Sequence, residues 1–148
     1  MTGMSPPEDL SIQRTTELDL DLDELWALIS TAEGWSSWLV DDAQIQITPQ
    51  SAGTAVEDGV VRDVRIDSMC DGRSINFSWW DRDDPASGSF VQLAIVELPN
   101  GRSQLNITER FVGASASVSA STSASSAVAW DVRLVSLWLL ALHSIVMA

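Results

Sequence analysis

Residues 128–148 of the chain are VAWDVRLVSLWLLALHSIVMA, and only Asp131 and Arg133 among them are charged at neutral pH. At about 100° per residue on a helical wheel, Arg133 shares one arc with three further polar side chains, Ser136, His143 and Ser144. Apolar side chains cover most of the remaining circumference: Trp130, Val132, Leu134, Val135, Leu137, Trp138, Leu139, Ala141, Leu142, Ile145 and Val146. The pattern predicts a long helix that is buried on most sides and keeps one polar stripe in water.

A membrane anchor is the alternative interpretation of this segment. A membrane-spanning helix needs about 20 apolar residues. The run after Arg133 is shorter than that, and Ser136, His143 and Ser144 interrupt it. We therefore expect a core helix that a sheet embraces, and no membrane partner.

The chain before this helix begins with a strand and two short helices. Residues 10–18 alternate between apolar and polar side chains, which indicates a strand with one buried face. Asp21 and Glu24 have the spacing of a capping box at the start of a helix that continues to Ile29. A second short helical turn is expected over residues 35–39.

In the middle of the chain, residues 43–111, the sequence pattern predicts about six antiparallel strands. Ile45 and Ile47 mark the first of them. The pairs DG at 58–59, DG at 71–72 and NG at 100–101 are typical of tight hairpins. Residues 81–89 are rich in Asp, Pro, Gly and Ser, and we expect them to join the middle pair of strands. The predicted fold class is α+β, with a curved antiparallel sheet wrapped around a long C-terminal helix.

The domain organisation follows from composition. At 148 residues the chain fits one domain, which we place at 9–148 after a disordered lead at 1–8. Residues 113–127, GASASVSASTSASSA, have no charge and few apolar anchors, and we expect a flexible loop inside the domain.

The net charge is −13, from 21 acidic residues and eight arginines. An acidic surface repels phosphate backbones and anionic lipid headgroups, so no nucleic-acid partner is expected. Residues 1–42 carry ten carboxylates and one arginine, and this acidic front half is either a solvated face or a dock for a basic partner.

The sequence offers little for catalysis or metal binding. Cys70 is the only cysteine and His143 the only histidine, so we expect no disulfide, no metal site, no cofactor and no catalytic residues. His143 is interpreted as a surface histidine, and the aspartates at 81–84 as a solvated turn. The lone cysteine and the polar N-terminus predict a cytoplasmic protein.

Seven tryptophans without any tyrosine are an unusual aromatic content. Each indole is interpreted either as core packing or as part of a lined cavity. In the strand at 74–80, Phe77 and Trp79 share one face, and Trp80 points to the other. Trp26 is expected to be plain packing and Trp35 a cover of the second short helix. The residues predicted to line a cavity between sheet and helix and to bind a ligand are Trp38, Phe77, Trp79, Trp130, Asp131, Leu134 and Trp138.

Asp131 has two interpretations. As a carboxylate in the first turn of the last helix it complements the helix dipole near solvent. Alternatively, it is a polar contact at the cavity mouth, paired with Arg133 or with an arginine from a strand.

Five strings resemble the START/Bet v1-like (SRPBCC) superfamily, and within it the branch related to the activator of Hsp90 ATPase. They are DELW at 23–26, GWSSWL at 34–39, NFSWW at 76–80, LNITE at 105–109 and AWDVRL at 129–134. In many relatives a Gly-Trp pair opens the last helix, where this chain has Ala129 and Trp130. The resemblance covers residues 10–148 apart from the Ser/Ala tract, and it implies the helix-grip fold.

The leading functional hypothesis is a non-catalytic cytoplasmic module that binds a hydrophobic or aromatic small molecule, as a monomer or homodimer. The first alternative, implied by the resemblance, is a protein-interaction or stress-response module like the Hsp90 activators. It predicts a packed interior and a partner that recognises the acidic front half or the Trp80 face. The second alternative is an enzyme of the cyclase or aromatase kind.

Overall fold

The computed structural model describes residues 11–111 and 116–147, and within the last helix it describes the side chains of residues 125–142. The elements are seven strands and three α-helices, with a short 3-10 turn at Pro99–Gly101. In chain order they are β1 (Ser11–Leu18), α1 (Leu22–Ile29), α2 (Ala32–Trp38), β2 (Asp42–Gln44), β3 (Ala52–Glu57), β4 (Val60–Cys70), β5 (Ser74–Asp81), β6 (Asp84–Glu97), β7 (Ser103–Phe111) and α3 (Ala116–Met147).

The strands form one antiparallel sheet in the order β1-β7-β6-β5-β4-β3-β2. The curved sheet and the long C-terminal helix packed on it are the helix-grip architecture that the sequence predicted. The predicted turns are confirmed. Asp58 and Gly59 both have positive φ, the backbone of the two-residue turns that match sheet twist. Asn100 and Gly101 also have positive φ, within the longer connection between β6 and β7, and Gly72 has positive φ in the three-residue connection 71–73 between β4 and β5.

Helix α1 begins where its capping signal places it, whereas α2, expected over residues 35–39, begins earlier at Ala32 because the Thr31 side chain caps it by accepting from the Gly34 N–H. Asp21 and Glu24 form the predicted capping box. Both tryptophans of α2 tie it to the end of α1: the indole N–H of Trp35 donates to the Ile29 carbonyl at 2.7 Å, and that of Trp38 donates to the Leu28 carbonyl at 2.9 Å. Two carbonyls at a helix end, which have no partner inside the helix, are satisfied in this way.

Three further expected segment boundaries were wrong. Helix α3 begins at Ala116, so residues 116–127 are helical rather than a loop; alanine favours helix strongly enough to extend it through a serine-rich tract. Strand β6 begins at Asp84, because the chain turns back after only two residues. Ile45 and Ile47 follow β2 rather than forming it. The predicted lead at 1–8 and residues 113–115 of the predicted loop lie outside the described residues.

The orientation of α3 also differs from the wheel. Arg133, predicted on the wet stripe, is 3% exposed and faces the sheet. Trp130, Leu137 and Ala141 share that buried face. Trp138, predicted to line the interior, is 54% exposed. The physical reason is that β3 supplies a carboxylate to Arg133, so that its charge is partnered under the helix.

Candidate functional site

The predicted cavity is the space between the inner face of the sheet and α3, and a row of aromatic rings fills it. Trp35 of α2 contacts Phe77 with ring centroids 4.7 Å apart. Phe77 meets Trp79 edge to face at 5.2 Å, and Trp79 meets Trp130 of α3 at 6.5 Å. These separations are those of aromatic pairs that stabilise one another beyond area burial.

The carboxylate of Glu109 holds two of these indoles. One of its oxygens accepts from the Trp130 indole N–H at 2.9 Å. The other accepts from the Trp79 indole N–H at 3.1 Å and from the Ser89 hydroxyl at 2.5 Å. Glu109 is 3% exposed, so its charge is compensated by three hydrogen-bond donors rather than by water.

Arg133 is the second buried charge, and Glu57 pairs with it through two hydrogen bonds, from Nε and from Nη2. Its guanidinium also lies over the Trp130 ring, 4.5 Å from the centroid, and over the Trp79 ring at 5.2 Å. Arg62 approaches Glu57 at 3.4 Å and stacks on Trp79 at 4.4 Å. The polar groups at this end of the inner face therefore satisfy one another.

Within the described part of the chain, these rings leave no solvent-accessible space between them. Trp35, Phe77 and Trp130 each expose 0% of their surface, and Trp79 exposes 2%. A void large enough for even one water molecule would leave part of a lining ring accessible. The predicted cavity is thus occupied by its own lining residues.

The seven predicted ligand-binding residues separate into three groups. Phe77, Trp79 and Trp130 come together in the aromatic row, and Leu134 is half-buried on the same core. Trp38 lies at an edge, where it lines a polar cleft of about 260 Å³ with Glu57 and Ser136. Asp131 and Trp138 point away from the interior. Their role in binding a ligand stays a prediction.

Asp131 has a partner of the kind that the sequence allowed, an arginine from a strand. Arg14 of β1 donates from Nε to the Asp131 carboxylate at 2.9 Å, and the Asp131 side chain is 63% exposed. The pair ties the first strand to α3 at the surface, away from the aromatic row.

Sequence reasoning missed Glu109, Arg133 and Glu57 as interior residues. Glu109 had a detectable signal, because it follows Leu105 and Ile107 at the strand period of two and so shares their buried face. Arg133 and Glu57 are 76 residues apart in the sequence, and nothing local indicates that they meet.

A largely apolar pocket lies on the other face of the sheet. Its volume is about 400 Å³, and it is formed where β5 and β6 lose register after Trp79. We call it the outer pocket, and its lining is Arg65, Ser78, Trp79, Trp80, Pro85, Ala86, Gly88, Ser89 and Phe90. Trp80 faces it, as predicted for the outward ring, and Phe90 is 50% exposed.

The guanidinium of Arg65 lies at the outer pocket. Arg65 donates from Nε to Asp67 at 2.9 Å, and Asp67 also accepts from the Ser78 hydroxyl at 2.5 Å. Asp67 therefore fixes Arg65 beside the aromatic rings. Gly88 forms part of the wall, and a Cβ there would meet its nearest neighbours only at 3.7 Å. The arrangement suits a flat apolar group with one anionic substituent.

The described residues include no group of three or more His, Cys, Asp or Glu side chains that could hold a metal ion. The side chain of His143 lies outside the described part of the chain. In the aspartate-rich turn Arg82 donates to Asp63 at 2.8 Å, and this hydrogen bond and the carboxylate charge raise the pKa of Arg82. That turn is an ion-paired surface feature.

No family model matches the chain, and no curated protein is similar enough to count as a relative. Solved structures do match. CalU16 from Micromonospora echinospora is 17% identical with a TM-score of 0.67, over 86% of this chain and 73% of its own. Protein MLL2253 from Mesorhizobium loti is 16% identical with a TM-score of 0.76, over 88% and 95%. An HSP90 activator from Plasmodium falciparum is 16% identical with a TM-score of 0.59, over 71% and 75%.

At these identities the likeness shows the fold alone. The comparisons agree with the expectation drawn from the five sequence strings, since an Hsp90 activator is among the matching structures. The chain has the helix-grip fold that these proteins share.

Proposed function

We propose that this protein is a non-catalytic module that binds a small aromatic molecule carrying one anionic group, and that the outer pocket is the binding site. The observation that carries the proposal is the pocket itself: about 400 Å³ of largely apolar space with Trp80 and Phe90 in its wall and Arg65 beside them. Ligand sites are typically apolar clefts of about 300–1,000 Å³ with a few polar groups that fix orientation.

The filled interior supports this location. A ligand between the sheet and α3 would have to displace Trp79 or Trp130 and break the hydrogen bonds of both indoles to Glu109. The outer pocket requires no such rearrangement. The cost of separating buried polar partners therefore favours the outer face over the inner one.

The test follows the seven indole N–H signals by NMR during titration with naphthoate, an aromatic carboxylate. We expect the Trp80 signal, assigned by Trp80→Phe, to shift while those of Trp35 and Trp130 stay in place. Arg65→Gln and Gly88→Val are expected to weaken binding by about tenfold each, through loss of the cation and through filling of the pocket. Val96→Ala is the matched control, because Val96 is exposed on the same strand away from the pocket.

Two results would reject the proposal. A shift of the Trp130 signal without one at Trp80 would place the ligand in the interior, as the sequence alone predicted. Absence of any indole shift at saturating naphthoate, in a protein whose circular dichroism is that of a folded chain, would remove the outer pocket as an aromatic carboxylate site.

A protein-interaction module like the Hsp90 activators is the second candidate. The filled interior favours it, since a packed core is what this hypothesis predicts, and one neighbouring structure is described as an HSP90 activator. The test measures the ATPase rate of purified Hsp90 with increasing amounts of this protein. Stimulation that Trp80→Ala abolishes supports this candidate, whereas an unchanged rate at all concentrations counts against it.

The cyclase or aromatase alternative gains no support from the interior. The buried polar side chains there, Glu109 and Arg133, are paired within the protein and face no open volume. Asp131, the residue on which that hypothesis depended, lies at the surface with Arg14.

A further inference from the structure

Helix α3 carries a row of exposed apolar side chains on the face turned away from the sheet. Val128, Val132, Val135 and Leu139 are each 59–63% exposed, and Leu142 is 43% exposed. We call these five residues the α3 stripe. Trp138 borders the stripe and is itself 54% exposed. Isolated exposed apolar residues are ordinary, but a continuous row of this kind marks an interaction surface.

The spacing within the α3 stripe is that of a coiled-coil seam. Successive members are separated by four, three, four and three residues, which is the a/d pattern of the heptad repeat. The residues that pack on the sheet, Trp130, Arg133 and Leu137, fall at the b and f positions of the same heptads. The helix therefore has two opposite contact faces. The apolar residues of the outer face have the heptad spacing by which one helix packs against another.

We propose that the α3 stripe pairs with the α3 stripe of a second copy of this chain, giving a two-fold symmetric dimer through a helix–helix interface. A self-complementary surface is what a two-fold axis requires, and an apolar seam at heptad spacing is complementary to itself. This inference does not depend on the proposed function, because the outer pocket lies on the opposite face of the sheet.

Charge on this part of the chain permits the pairing. Each copy carries a net charge of −13, yet residues 113–148 contain only one acidic residue, Asp131. Arg14 neutralises that residue in place. Two copies that meet through α3 thus keep most of their carboxylates apart, and added salt screens the remaining repulsion.

Two other occupants fit the α3 stripe less well. Residues 1–10 offer only Met1, Met4 and Leu10 as large apolar side chains, with two prolines between them, which is too few for a five-residue seam.

A membrane is the second alternative occupant of the α3 stripe. Residues 125–142 are long and apolar enough to cross one, but crossing would strip Trp130 and Arg133 of their carboxylate partners. Helices that lie on a membrane surface carry Lys or Arg on the polar face, and the only arginine of α3 is the buried Arg133.

The interface is expected to be small. Stable interfaces bury about 1,200–2,000 Å² in total, and five half-exposed side chains per copy with their rims lie at or below the low end. Dilution should therefore dissociate the dimer within the range that sedimentation covers. Raising the salt concentration should tighten it, because the two chains repel each other.

Sedimentation velocity across a concentration series tests the proposal. We expect a monomer–dimer equilibrium, with Val135→Glu and Leu139→Glu each raising the dissociation constant at least about tenfold. Val96→Glu, an exposed valine on the sheet, is the matched control and should leave the equilibrium unchanged. Circular dichroism of each variant should equal that of the parent, because the substituted side chains are exposed.

Three outcomes would overturn the proposal. The protein could sediment as a monomer at every concentration, or form a dimer that both glutamate variants leave intact. It could also float with phosphatidylcholine vesicles and lose that property in Val135→Glu, in which case a lipid surface covers the α3 stripe.

Discussion

Glu109 is the residue that holds the buried indoles of Trp79 and Trp130. Its two oxygens accept three hydrogen bonds, from Trp79, Trp130 and Ser89. A glutamine of nearly the same shape keeps one acceptor oxygen and turns an NH₂ group toward a donor. One indole or hydroxyl then loses its partner in a buried environment.

We therefore expect Glu109→Gln to lower the free energy of unfolding by about 1–3 kcal/mol. Urea denaturation followed by tryptophan fluorescence measures this change. Glu97→Gln, at an exposed position of β6, is the control and should have little effect. Equal midpoints for the two variants would mean that the carboxylate is not what holds the indoles.

Arg133 gives a second prediction at the scale of one residue. Arg133→Met removes the buried one of the two arginines that pair with Glu57 and leaves only Arg62, whose Nη1 lies 3.4 Å from the carboxylate. The lost arginine is 3% exposed and the Glu57 side chain 19%. Breaking a buried pair from one side costs about 3–5 kcal/mol, and the partial exposure of Glu57 places the expected loss at the lower end, about 3 kcal/mol.

A double-variant cycle separates the pair from the packing. Adding Glu57→Gln to Arg133→Met should recover part of the loss, because the carboxylate left without Arg133 is then neutral. Arg62 keeps its second carboxylate, Asp81, at 3.6 Å. Arg82→Met removes a pair with Asp63 in which the arginine side chain is 54% exposed, and it should destabilise the protein far less than Arg133→Met does, because exposed ion pairs contribute little. A loss at Arg133 no larger than that at Arg82 would contradict the buried pair.

Arg133 also shows why a helical wheel could not predict which face of α3 packs on the sheet. The wheel grouped Arg133 with Ser136 because both are polar, and it grouped Val132 and Val135 with the core because both are apolar. The helix instead turns its valines outward, because Glu57 and the two indoles give Arg133 a better environment than water. Interactions between residues 76 positions apart decide that rotation, and no local pattern records them.

At the scale of elements, the contact between α1 and α2 depends on one missing Cβ. A Cβ at Gly34 would lie 2.6 Å from the carbonyl oxygens of Ala27 and Leu28. These are backbone atoms and cannot move aside as a flexible side chain would. The hydrogen bonds from Trp35 and Trp38 to the end of α1 require the same close approach.

Gly34→Ala is therefore expected to lower the free energy of unfolding by about 1–3 kcal/mol, as overpacked cores do. Gly88→Ala is the matched control, since its new Cβ would meet nothing closer than 3.7 Å, and its change should stay within about 0.5 kcal/mol. Thermal denaturation by circular dichroism compares the two. If Gly34→Ala is as stable as the parent, the helices are free to separate.

Elements that begin or end at capping or turn residues were predictable. The capping box of α1 and the Asp-Gly and Asn-Gly turns fixed their positions because those side chains interact within a few residues of themselves. The start of α3 was not predictable in the same way, since serine, a favoured N-cap residue, recurs throughout the Ser/Ala tract and no periodic apolar anchor selects one of these serines. The two-residue turn before β6 could not be recognised, because Pro85 and the aspartates at 81, 83 and 84 are equally typical of a longer loop.

At the scale of the whole molecule, the order of elements and the five sequence strings were sufficient for the fold, as the helix-grip architecture confirms. The candidate site was only partly predictable. Phe77, Trp79 and Trp130 do meet, but whether a row of rings lines a cavity or fills one depends on how closely two layers approach. The outer pocket arises from a register shift after Trp79, and single-sequence periodicity cannot detect such a shift.

The strand order has a consequence for how the chain reaches this fold. Every adjacent pair from β2 to β7 joins strands that are consecutive in the sequence, whereas β1 pairs with β7, so that Ser11 lies opposite Arg110. Closing that pair brings together residues almost one hundred positions apart, and such non-local contacts slow folding. During synthesis the first strand to leave the ribosome thus waits longest for its neighbour, with Ile12 and Leu18 unburied until the last strand has been made. Five carboxylates at the end of β1 and directly after it, Glu17, Asp19, Asp21, Asp23 and Glu24, lie where like-charge repulsion would keep two such unpaired strands from pairing with each other.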